Sequence, residues 1–95
     1  MAYKLTRNAQ HALMQIQQYT LENHGSLQAA EYLDKLADTM EMPGNHPHLG
    51  ASRNDVRPGL CSFPCESHVI YFRPASHGVN IVTLLHERQD PARNL

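Results

Sequence analysis

The feature that constrains this chain most is a change of hydrophobic period near residue 43. Upstream, apolar residues return at helical spacing; downstream, they alternate or run together as strands do. Ala9, Ala12, Leu13, Ile16 and Tyr19 make one stripe, with Arg7, Gln10, Gln17 and Gln18 mostly off it. Thr6 suits the N-cap of that helix and Gly25 its stop. Ser26 offers the next N-cap at once. Ala29, Leu33, Leu36, Ala37 and Met40 then form a second stripe, with Glu31, Asp34, Lys35 and Asp38 outside it. Two amphipathic helices so closely joined fold back as an antiparallel αα-hairpin. The segment 43–50, rich in Pro and Gly, reads as a loop.

The remaining pattern is that of strands. Tyr3-Lys4-Leu5 alternates and predicts a short first strand. Leu60-Cys61-Ser62-Phe63 is a second, confined by Pro64 to an edge or a bulge. Residues 67–73 and 79–85 are two more, joined by a turn over 74–78, and such short turns imply antiparallel hairpins. The expected architecture is therefore α+β, in the order β-α-α-β-β-β. An N-terminal short strand and αα-hairpin pack on a small antiparallel sheet, and residues 1–95 form one domain. The strands are apolar at both parities: Val69 and Tyr71 against Ile70 and Phe72, and Ile81, Thr83 and Leu85 against Val82 and Leu84. Such a sheet needs cover on both faces, and one helical hairpin covers one. The second cover comes either from the chain itself, tail included, or from a partner.

A hydrophobic fraction of 41% excludes general disorder. No apolar run reaches the ~18–20 residues of a membrane span, and residues 1–6 lack the apolar core of a signal peptide, so the cytoplasm is the expected compartment. On a strand, Cys61 and Cys65 would stand ~13 Å apart, too far for a disulfide, and they read as reduced thiols. The seven histidines are scattered, so neither a metal nor a cofactor is expected. A net charge of −1 argues against a dedicated nucleic-acid binder. The bases of the second half are all arginine: Arg53, Arg57, Arg73, Arg88 and Arg93. Arg57, Arg73 and His86, with Arg53 and Arg88, are the one set that could cleave RNA, the imidazole moving a proton and the guanidiniums stabilising a pentavalent phosphate. The same residues serve equally as ion pairs and a strand-end histidine. If the last two strands form a hairpin, Arg73 and His86 sit near its opposite ends, although Arg57 could lie near His86.

In sequence order, Leu5-Thr6, Ala9, Leu13, Ile16 and Tyr19-Thr20 resemble the opening of ParE-type toxins of the ParE/RelE superfamily. So do Gly25, Gln28-Ala29 and Tyr32-Leu33, then Pro47 and Leu49-Gly50, and Asp55-Val56-Arg57-Pro58-Gly59-Leu60. Residues 67–73 and 81–90 resemble the family's last two strands and their exit. The resemblance implies the toxin of a type II toxin–antitoxin pair, with DNA gyrase as target and no intrinsic catalysis. It implies a ParD-like antitoxin that wraps the toxin and supplies missing apolar cover. Antitoxin contact is expected at Leu13, Ile16, Leu33, Leu36, Val69, Tyr71, Ile81 and Thr83. Gyrase contact is expected at Arg57, His86 and Arg88, on the exposed sheet face and the segment 86–95. The RelE branch, which cleaves mRNA on the ribosome, is the alternative. There Arg57, Arg73 and His86 would be catalytic, and Glu87 would stand where some nucleases carry a tyrosine.

Overall fold

A computed structural model describes residues 2–46 and 48–95; Pro47, part of the expected loop, lies outside them. The elements are β1 (Tyr3–Leu5), α1 (Arg7–His24), α2 (Ser26–Asn45), β2 (Ala51–Ser52), β3 (Cys61–Cys65), β4 (His68–Ala75), β5 (Gly78–His86) and a short α3 (Pro91–Asn94). This is the expected α+β order, with two small additions in β2 and α3. The sheet runs β1-β5-β4-β3-β2. Four of its strands are antiparallel in sequence order, but β1 pairs in parallel with β5, Tyr3 opposite Val79 and Leu5 opposite Ile81, so the sheet is mixed.

Local chemistry accounts for most element ends. The Thr6 hydroxyl accepts from the Ala9 amide at 3.1 Å and donates to the Val82 carbonyl at 2.6 Å. One side chain thus caps α1 and ties it to β5. Gly25 stops α1 at φ +88, a conformation that favours glycine, and α2 begins immediately. The expected loop at 43–50 starts late, because α2 continues through Pro43 to Asn45. Proline there removes one hydrogen bond, to the Thr39 carbonyl, and its ring is fully buried. Burial outweighs the loss within the last turn. Pro64 lies beyond the part of β3 that pairs with β2, consistent with its need for an unpaired edge.

One irregularity governs the sheet. Phe72 pairs with Ile81 but Tyr71 pairs with Thr83, so Val82 is an extra residue, a β-bulge. The bulge reverses side-chain parity along β5. Ile81 and Leu84 therefore both face the helices, while Thr83 and Leu85 face away with Tyr71 and Val69. The helix-side core gathers Ala9, Ile16, Leu36, Met40, Ile70, Phe72, Val79, Ile81 and Leu84. The other face carries a second cluster of Leu60, Tyr71 and Leu85, flanked by Val56, Val69, Val82 and Leu95. The sequence left two sources for that second cover, and the chain supplies it itself, through the 53–60 segment and the C-terminal tail.

Candidate functional site

At the end of the sheet, His68 opens β4 and His86 closes β5, and the register sets them directly opposite. The Glu87 amide donates to the Ser67 carbonyl, so by alternation His68 and His86 are a non-hydrogen-bonded pair, whose side chains come closest. Their rings meet edge to face, with centroids 5.5 Å apart. Tyr32 of α2 adds a third ring, 5.6 Å from His68. The Tyr32 hydroxyl stands 2.6 Å from His68 Nδ1 and accepts from the Ser67 amide at 3.3 Å. The Tyr32 hydroxyl thus joins His68 to the Ser67 backbone, and the direction of its bond with Nδ1 follows the His68 tautomer. The Arg88 amide donates to His86 Nδ1 at 3.2 Å.

Burial and the neighbouring His86 push the His68 imidazole below its ordinary value, with Glu87 opposing. Desolvation likewise pushes the Tyr32 phenol up. Neutral His68 at pH 7 is thus a hydrogen-bonding and packing group. The two imidazoles line a cavity of about 380 Å³ that α1 closes with Gln15, Ile16 and Tyr19. Among the described residues, no three His, Cys, Asp or Glu side chains converge as metal ligands would.

The expected catalytic set is not assembled. Arg73 lies inside β4 opposite Asn80, five residues from His68, or ~17 Å along the strand from the His86 end. Arg57 is exposed and lines a different cavity, of about 340 Å³, between α1 and β5. Arg88 is exposed beyond β5. Of the expected antitoxin contacts, Leu36 and Ile81 are fully buried, and Ile16, Tyr71 and Thr83 retain less than a tenth of their surface. Leu13, Leu33 and Val69 are half-buried. Tyr19, expected in the buried stripe, is 65% exposed, and it joins Met14, Leu21 and Leu27 as apolar surface on the helical hairpin.

Sequence reasoning missed Tyr32 and His68 for a definite reason. Counting out from the turn at Ser76 and His77 sets His68 opposite Leu85; only the bulge at Val82 brings it to His86.

The family model for the ParE toxin of type II toxin–antitoxin systems matches residues 3–91. The chain belongs to the ParE toxin family. It is 32% identical over 94 residues to Toxin ParE1 of Mycobacterium tuberculosis, covering 98% of this chain and 96% of that one. It is also 32% identical, over 93 residues, to Toxin ParE1 of Caulobacter vibrioides, with the same coverage. A chain from the chromosomal ParDE TA system of P. aeruginosa shares the fold, with a TM-score of 0.77 at 20% identity, over 90% of this chain and 95% of that one. This chain is thus a ParE-type toxin of a type II toxin–antitoxin system.

Proposed function

We propose that this ParE-family chain inhibits DNA gyrase by binding, without chemistry of its own, and that a ParD-like antitoxin neutralises it in the cytoplasm. The observation that carries the reading is the family match across residues 3–91. The scattering of Arg57, Arg73 and His86 supports it, because no one phosphate can meet all three. On this reading Arg57, Arg88 and the partly exposed His86 are the gyrase contacts. The antitoxin covers the exposed apolar residues of the hairpin, Met14, Tyr19, Leu21 and Leu27.

The test is a supercoiling and DNA-cleavage assay with purified gyrase, run beside in vitro translation. Lost supercoiling or trapped cleaved DNA with translation intact is the expected result. Arrested translation with gyrase unaffected would make the chain an mRNA endonuclease and overturn the proposal.

A further inference from the structure

The parallel strand β1 protects only part of the outer edge of β5. It pairs with Val79–Ile81, and the Thr6 amide and hydroxyl then take the Ile81 and Val82 carbonyls. At the far end the Gln89 side chain takes the His86 amide at 2.8 Å. Between these two caps lies Leu84. Because Val69–Leu85 and Tyr71–Thr83 are the hydrogen-bonded pairs with β4, the Leu84 amide and carbonyl point outward. The hydrogen bonds of the described residues give them no partner. An open strand edge of this kind recruits another strand unless it is blocked.

Here the edge forms the floor of a slot. The 340 Å³ cavity has Val82–Leu85 along its base. Asn8, His11 and Gln15 of α1 form one wall, and Arg57 with Asn94 and Leu95 the other. It meets the cavity at the His68–His86 pair through Ala12, Gln15, Leu84 and Gln89, which line both. Arg57 has no ion pair among the described residues, and no Asp or Glu side chain lines either cavity. The slot thus offers backbone pairing along its floor and positive charge on its wall.

We propose that this slot is a strand-docking site: an extended, carboxylate-bearing segment of the antitoxin adds to the outer edge of β5 at Leu84, with its acidic side chain on Arg57. The inference rests on the antitoxin partnership proposed above. Main-chain bonds at Leu84 supply register, and the planar guanidinium fork of Arg57 selects the carboxylate. Aspartate or glutamate fits this wall, whereas lysine or arginine would meet Arg57 and be rejected.

The experiment is residue-resolved hydrogen exchange on the toxin, alone and in complex with its co-expressed cognate antitoxin. The Leu84 amide should exchange quickly for a mid-strand amide when the toxin is alone, and at least about tenfold more slowly in the complex. Arg57→Glu, an exposed substitution, should weaken the complex about tenfold or more with the toxin's melting temperature unchanged. A complex that forms while Leu84 exchange stays fast overturns the docking site and leaves the antitoxin partnership standing. Concentration-dependent protection of Leu84 in the toxin alone would assign the slot to a second copy and overturn the proposal. Failure of any complex to form removes the partnership itself.

Discussion

Gly50 holds its place by two independent constraints. Its φ is +98, and a Cβ there would come within 2.6 Å of the Ser62 carbonyl oxygen and 3.0 Å of the Phe72 ring. Gly50→Ala combines backbone strain with overpacking against a fully buried aromatic, and should cost about 2–4 kcal/mol. Urea unfolding should show it as a lower midpoint at unchanged slope. His68 makes a prediction of different kind. Its native pKa lies below its ordinary 6.5, so just under that pH the unfolded chain binds a proton that the native chain refuses. The stabilisation from keeping His68 neutral is whole above pH 6.5 and is lost as pH falls toward the native value. Melting temperature followed from pH 7.5 to 5 should therefore fall, and His68→Gln should flatten the slope. These residues were differently legible. A glycine after a breaker cluster advertises a special backbone, whereas the neighbours that push His68 down depend on a pairing the sequence conceals.

At the scale of elements, the helices were readable because each carries its own period and a boundary signal. Thr6 caps α1 as expected, whereas Gly25 rather than Ser26 is the N-cap of α2, with no side-chain bond, and Ser26 is its first helical residue. The end of α2 was not, because Pro43 is punctuation only when nothing packs on it, and here it is buried. The bulge at Val82 was hidden: Val79, Ile81, Val82, Leu84 and Leu85 place apolar residues at both parities, so no single apolar face marks the break. A strand buried on both faces hides its register in this way. The joint between α1 and β5 gives the test at this scale. Thr6→Ala removes an N-cap and the hydroxyl's bond to the Val82 carbonyl, and should cost about 1–2 kcal/mol by urea unfolding. Thr6→Ser, which keeps the oxygen, should recover most of it.

Over the whole molecule, two apolar layers rather than one hold the sheet. The sequence showed that the second was required but not where it came from, since Leu60, Val56 and Leu95 approach Tyr71 and Leu85 from distant parts of the chain. Leu60 is fully buried, and Leu60→Ala should cost about 3 kcal/mol without touching the helix-side core, which urea unfolding of the antitoxin-free toxin would measure. The antitoxin is then not needed to complete that layer, and the toxin should fold alone. The parallel seam between β1 and β5 adds a consequence in time. It joins the third to fifth residues to the seventy-ninth to eighty-first, nearly the longest separation the chain offers. During synthesis the first strand has nothing to pair with until residue 81 has left the ribosome. A nascent or prematurely truncated chain therefore lacks both its sheet edge and the strand that bears His86, and a half-made copy of this toxin cannot take its active shape inside the cell that is making it.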